Sequence, residues 1–219
     1  KNLDIEWSCP NGVRADRLDK ELLELMKKAG CYSISLGIES GNKEVFKKID
    51  KGEELKAIER TVKTAKNIGI KTEGFFIIGL PGSSVETELE SIKFAKKLKL
   101  DAAIFNIFIP YPGTKAWKWA QSEEVTMLRD WKQGFHFGEK PKPVFETKRF
   151  KADDMIKMFY TANLKVKRYS ALINTSKYSY FQNLPKLLKL IIKYDPINLP
   201  VHLIIAFVRS IRFKLAKKI

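Results

Sequence analysis

The sequence predicts an α/β chain: about four βα units laid as a parallel sheet, then a mainly helical C-terminal extension. Three observations predict it. Apolar strand-like runs alternate with amphipathic helical runs between residues 31 and 120, the rhythm of βα units and not of separate layers. The helical runs that precede strands stop at Gly30, at Gly69 or at Leu100-Asp101, each handing over to a buried run. The third observation is charge. Residues 1–146 hold 25 Lys/Arg and 22 Asp/Glu, a balance of +3, whereas residues 147–219 hold 16 and 3, a balance of +13, together the formal +16.

Taken in order, Leu3 to Ser8 reads as a short strand. "DKELLELMKKAG" is a helix whose apolar side carries Leu22, Leu23, Leu25, Met26 and Ala29, with acids leading and lysines trailing as the helix dipole prefers. "CYSISLGI" is a buried strand and "NKEVFKKI" a short helix. "EELKAIERTVKTAKNIG" is a longer amphipathic helix, and "IKTEGFFIIG" a strand rich in β-branched and aromatic residues. Ser83 and Glu86 have the spacing of a capping box at the start of "SSVETELESIKFAKKLKL". "DAAIFNIFI" is a fourth strand, closed by "PYPGT". From about Gln121 the rhythm stops, and "GFHFGEKPKPVFETKRF" reads as loop. "KADDMIKMFYTANLKVKRY", "LPKLLKLIIKY" and "LPVHLIIAFVRSIRFKLAKKI" are basic helix candidates, too short in their apolar runs to span a bilayer. The expected divisions are 1–120, 121–150 and 151–219.

Ligands of parallel βα architectures bind at the carboxyl ends of the strands. Here those ends are Cys9-Pro10-Asn11-Gly12-Val13-Arg14, Glu39-Ser40-Gly41, Gly79-Leu80-Pro81-Gly82 and Pro110-Tyr111-Pro112-Gly113-Thr114. Glu39 is the one carboxylate directly at the rim. It either accepts hydrogen bonds from a ligand's hydroxyl or ammonium groups, or pairs with Arg14 or a lysine to hold two loops together. "GLPGS" lacks the lysine and spacing of a phosphate loop, which excludes a nucleoside triphosphate site. Cys9 and Cys31 are too few for a disulfide scaffold and suggest a reducing, cytoplasmic setting. His136 and His202 stand apart from acids or cysteines at metal-ligand spacing. Trp117, Trp119 and Trp131, with Phe135 and Phe137, read as packing against the sheet domain.

"GIESGNKEVFKKIDKG", "GFFIIGLPGSSVETELESIKFAKKL" and "FIPYPGT" resemble the later half of the radical S-adenosylmethionine (radical SAM) core, in the subgroup that often carries a cobalamin-binding domain. "VRADRLDKELLELMKKAGC" resembles the strand and helix before them. The resemblance covers roughly residues 3–120. It implies a partial (β/α)6 barrel, a four-iron four-sulfur cluster held by Cys-x3-Cys-x2-Cys, and S-adenosylmethionine chelated to the open iron. Reductive cleavage then gives a 5′-deoxyadenosyl radical. By the same resemblance Glu39, with Ser40 beside it, contacts the cofactor's ribose or amino end, and Arg14 faces its carboxylate. The backbone of Ile78 and Gly79 meets adenine, and Phe108 and Pro110 contact the ring.

No Cys-x3-Cys-x2-Cys occurs in the sequence. The expectation is therefore the C-terminal part of such an enzyme, inactive alone, with a sheet edge left open where two earlier βα units would pair. The implied partners are a small-molecule or lipid substrate and a reductant such as ferredoxin or flavodoxin, with cobalamin as an additional cofactor. The alternative is a non-catalytic barrel relic that binds a membrane surface or a protein through its basic tail. Nucleic acid is disfavoured, because the motif-bearing part carries only +3.

Overall fold

A computed structural model describes residues 4–134, 141–166 and 183–205. Phe135, His136, Phe137 and the last fourteen residues lie outside these. Four parallel strands, β1 (Trp7–Val13), β2 (Cys31–Glu39), β3 (Lys71–Ile78) and β4 (Ala102–Ile107), form one sheet in sequence order. Between them run α1 (Lys20–Lys28), α2 (Lys43–Lys48), α3 (Leu55–Ile68) and α4 (Val85–Leu98). This is the expected α/β succession of βα units, followed by a mainly helical C-terminal part.

The helices begin where side chains satisfy their free N–H groups. Asp19 accepts from Leu22 N–H and Asn42 from Val45 N–H. The capping box of α4 sits one residue later than expected, on Ser84 and Thr87. Ser83 is instead part of the turn, its N–H donating to the Leu80 carbonyl at 2.9 Å. Glu86 bonds the Ser84 hydroxyl at 2.7 Å rather than closing the box itself.

The alternation of β3 sorts its side chains. Thr72, Gly74, Phe76 and Ile78 are buried on the helix side, whereas Phe75 and Ile77 face the open side. Phe76 stacks on Phe105 of β4, 4.5 Å between centroids and 8° from parallel. Ile34, Leu36 and Ile38 of β2 and Ile58, Val62 and Ala65 of α3 complete this core.

Two further expectations need correction. The first strand runs over Trp7–Val13, not Leu3–Ser8, because the Cys9-Pro10-Asn11-Gly12 stretch stays in the sheet as an irregular bulge. Cys9 pairs with Ile34 and Val13 with Leu36, so two extra residues are accommodated there. The stretch after Gln121 is not loop throughout. β5 (Val125–Met127) and β6 (Phe145–Thr147) pair antiparallel, and α5 (Lys115–Ala120) precedes them. Trp119 lies edge-on to Phe145 at 5.4 Å, fastening this part to the domain, and Trp131 lies edge-on to Tyr111.

The two edges of the sheet differ. Along β4 lies α6 (Ala152–Lys165), whose fully buried Asn163 treats Phe105 as a strand would. Its amide nitrogen donates to the Phe105 carbonyl at 3.0 Å, and its oxygen accepts from the Phe105 N–H at 3.4 Å. The same nitrogen donates to the Phe159 carbonyl at 2.9 Å. At the other edge β1 has no second strand partner among the described residues, and its residues are exposed or half-buried. α7 (Leu184–Tyr194) packs on α6, and a further helical stretch covers 199–205.

Asn163→Leu keeps the volume but leaves the buried Phe105 N–H and C=O unpaired. It should lower unfolding free energy by about 2–4 kcal/mol, read from urea titration. Asn163→Asp should cost at least as much, since it also buries a charge.

Candidate functional site

The carboxyl ends of the four strands open on a cleft of about 620 Å³, with Gly12 to Arg14, Gly37, Glu39, Phe75, Ile77, Asn106 and Phe108 to Ile109 on its walls. Lys51, from the turn between α2 and α3, reaches into it. One wall is thus charged and the opposite wall is aromatic and aliphatic.

Glu39 is placed by unusual backbone. It has φ +66, a region a side chain adopts only at a cost of roughly 1–2 kcal/mol. Ser40 N–H donates to the Ile38 carbonyl at 2.8 Å, closing a three-residue turn around it. The β2–β3 register slips at the same point, since Gly37 pairs with Phe75 and Glu39 with Phe76. Alternation from Gly37 already puts Glu39 on the cleft side, and the bulge and the turn end the regular strand at that point. Gly37 lies beneath the charged ends: a Cβ there would stand 2.7 Å from a Glu39 oxygen and 3.1 Å from Lys51 Nζ and would displace both side-chain tips. Gly41 serves something else. A Cβ on it would meet Phe94 at 2.5 Å and Ser91 Cα at 2.9 Å, so it lets α4 pack closely on the strand end.

Glu39 pairs with a lysine, and the lysine is Lys51, at 3.5 Å. Lys51 Nζ also lies 3.2 Å from the fully buried carboxylate of Glu53 and donates to the Gly37 carbonyl. Burial pushes the Glu39 carboxyl above the usual glutamate range; Lys51 pulls it back part of the way, and Glu53 adds to the rise. Arg14 also lines the cleft, with four of its five N–H donors already engaged. It forms a two-pronged pair with Asp16 at 2.9 and 3.0 Å and donates to the carbonyls of Lys51 and Gly52 at 2.7 and 3.0 Å. It clamps the turn that carries Lys51.

Of the seven residues expected at the site, Glu39, Arg14 and Phe108 meet at the cleft. Ser40, Ile78, Gly79 and Pro110 are not on its walls. Ser40 is buried and bonds Ser91 of α4 at 3.2 Å and the Asn42 N–H. Ile78 is fully buried, its carbonyl taken by the Phe108 N–H at 2.8 Å. The Gly79 N–H goes to Glu88 at 3.1 Å, and Pro110 is buried. Sequence reasoning missed Lys51, Phe75, Ile77 and Asn106. The signal for Lys51 was Asp50-Lys51-Gly52, a turn sequence after a βα unit, whose Asp50 and Gly52 both adopt positive φ. The signal for Phe75 and Ile77 was strand alternation.

Glu88 lies behind the cleft. It is buried, and burial pushes its carboxyl up to about 7, against the pull of the Gly79 N–H and the nearby Ser83 hydroxyl. It fastens the Gly79-Leu80-Pro81-Gly82 turn to α4.

Neither cysteine belongs to the cleft walls. Cys31 begins β2, at the end of the sheet opposite the cleft, and burial pushes its thiol up, away from the thiolate a metal needs. Among the described residues no three His, Cys, Asp or Glu converge as a metal site. These residues do not fit an iron–sulfur cluster.

An open cleft at the carboxyl rim of a parallel sheet stands where βα architectures take their ligands. Residues 8–95 match the model of the radical SAM superfamily. That segment of the chain belongs to the radical SAM superfamily. The chain is 33% identical over 162 residues to an uncharacterized methyltransferase of Pyrococcus horikoshii, covering 74% of this chain and 34% of that protein. It is 34% identical over 122 residues to cytidylyl-2-hydroxyethylphosphonate methyltransferase of Streptomyces wedmorensis, covering 52% and 23%. The chain thus spans about a third or less of the length of these relatives. Among solved structures, the Elp3 protein of Methanocaldococcus infernus superposes with a TM-score of 0.51 at 18% identity, over 69% of this chain and 31% of that one, a likeness of fold.

Glu88→Gln keeps an acceptor for the Gly79 N–H and removes the ionisable group. A glutamate raised to about 7 in the fold favours folding below its unfolded value of 4.5, and that contribution is lost as pH rises through about 7. The variant should therefore differ from the parent by less than about 1 kcal/mol near pH 5 and be up to about 3 kcal/mol more stable at pH 8, measured by urea unfolding.

Proposed function

We propose that this chain is the cofactor-recognising, later part of a radical SAM enzyme, with S-adenosylmethionine held in the cleft at Glu39 and Lys51. The observation that supports it is the paired charge of opposite sign on one wall facing Phe75, Ile77 and Phe108. A zwitterionic amino acid needs one anion and one cation close together, and its nucleoside needs an apolar wall. Glu39 would accept hydrogen bonds from the ammonium or the ribose hydroxyls. Lys51 would face the carboxylate in place of Arg14, whose guanidinium is spent on Asp16 and two carbonyls. The apolar side chains on the cleft side of β3, and Phe108 after β4, would receive the adenine; the Ile78 carbonyl and Gly79 N–H already hold protein partners. When bound, the cofactor supplies an activated carbon–sulfur bond.

The names of the curated relatives favour methyl transfer by the parent protein, for which cobalamin would serve as methyl carrier. Its substrate would be a small molecule or a lipid, with electrons from a cytoplasmic ferredoxin- or flavodoxin-like protein. The cluster ligands would come from residues other than Cys9 and Cys31.

Titration calorimetry of the chain with S-adenosylmethionine should show saturable binding, weakened about tenfold or more by Lys51→Met and by Glu39→Gln. Unchanged affinity in both variants would remove the cleft from the proposal. After anaerobic iron–sulfide reconstitution and reduction, the chain should release no 5′-deoxyadenosine; its detection would show that this chain holds a working cluster.

A further inference from the structure

The end of the described chain exposes aliphatic side chains that the cleft does not use. Ile197 is 90% exposed and Ile204 64%, with Ile192, Val201 and Leu203 also largely in water. Ile197, Val201 and Ile204 are spaced four and three residues apart along helical backbone, so they share a side. Ile197 and Ile204 project furthest on this ridge, and Val201 also borders a hollow of about 320 Å³ beside Lys96 and Lys165. Lys186, Lys189 and Lys193 are exposed on the adjoining α7.

The ridge is firmly based. α7 buries Leu187 and Ile191, and its Tyr194 stacks on Tyr160 of α6 at 4.8 Å. The turn after it is held by Asp195, which is buried. Asp195 accepts from Lys165 at 3.2 Å and from Asn198 at 2.8 Å, and pairs with the buried His202 at 2.9 Å. His202 is the inward side of the 199–205 stretch; Val201, Leu203 and Ile204 are turned out by it. From residue 183 to 219 there are eight Lys/Arg and one acid, Asp195, which is the buried one. Every exposed charge on residues 183–205 is therefore positive.

We propose that this face docks the protein on an anionic phospholipid surface. The aliphatic ridge would enter the headgroup–acyl boundary, while the lysines of α7 sit at the phosphates. The shape and chemistry select this occupant. A projecting aliphatic ridge enters a deformable interface without needing a matching pocket. A second copy would bring two lysine-rich rims of the same sign together, which is unfavourable. Single-stranded nucleic acid needs flat rings to stack on, and the ridge carries none. Among the described residues no helix is long and apolar enough to cross a membrane, so the contact would be interfacial.

The test is co-sedimentation of the full chain with vesicles of phosphatidylcholine alone and of phosphatidylcholine with phosphatidylglycerol. Binding should require phosphatidylglycerol and weaken in high salt. Lys186→Gln/Lys189→Gln/Lys193→Gln should reduce partitioning on the order of a hundredfold. Ile197→Ser/Val201→Ser/Ile204→Ser should abolish it with the thermal melting temperature retained, as expected for exposed positions. Ile197→Cys carrying an environment-sensitive dye should shift its emission to the blue on the anionic vesicles only. Failure of the parent chain to bind them would overturn the proposal, as would undiminished binding by the serine variant. So would loss of self-association in the serine variant without vesicle binding, which would mark a protein–protein face. None of these outcomes depends on S-adenosylmethionine binding.

Discussion

The rim of this sheet depends on one ammonium group. Lys51 Nζ sits between Glu39 and the fully buried Glu53 and bonds the Gly37 carbonyl. Take the lysine away and two carboxylates face each other across a poorly solvated space, a situation that ends in protonation or in opening. The turn that bears Lys51 is held in turn by Arg14, through its carbonyls at 51 and 52. A cation on a loop thus fixes an anion on a strand, and a second cation on the neighbouring strand fixes the loop. The pair is also a competitor for any ligand. An incoming ammonium or diol that engages Glu39 loosens Lys51, and the released cation is then available to an anion on the same ligand.

Strand geometry prepares this exchange. Alternation along β2 puts Ile34, Leu36 and Ile38 in the core and Gly37 and Glu39 on the cleft side. The bulge at Ile38 and the left-handed turn at Glu39 end the regular pairing there, at the cost of local strain. That strain is stable because both flanks are fastened: Gly37 lies under the ion pair, and Gly41 is wedged against α4, where Ser91 bonds the Gly41 N–H at 2.9 Å. The Gly79 turn is anchored to α4 too, through Glu88. One helix therefore supports two of the four strand ends, and movement of α4 would be felt at both.

Most of this architecture was legible in the sequence. Periodicity and stop signals located β2, β3, β4 and the helices between them, since long runs with strong patterning leave few alternatives. The strand-end rule found Glu39, Arg14 and Phe108. What escaped was short or non-local. β1 runs through Pro10-Asn11-Gly12, a stretch with turn chemistry that sits as a bulge between the paired Cys9 and Val13, with Gly12 at φ +78. β5 and β6 are three residues each, below the length at which alternation is informative. Arg14 and Lys51 could not be ranked from sequence, because the deciding fact is which cation Asp16 captures. The burial of Asp195 with His202 was equally hidden, since a histidine seven residues beyond an aspartate says nothing until the chain turns between them.

The two sheet edges show where recognition and chemistry separate. At β4 the Asn163 carboxamide satisfies the edge peptide, so the sheet is closed there from within the chain. At β1 the backbone has no such cover among the described residues, and the cleft is open on that flank. The charged side chains of the cleft, Glu39 and Lys51, stand on β2 and on the α2–α3 turn. The residues that could hold iron are absent from the same walls, and Cys31 is buried at the opposite end of its strand with a thiol kept protonated by that burial.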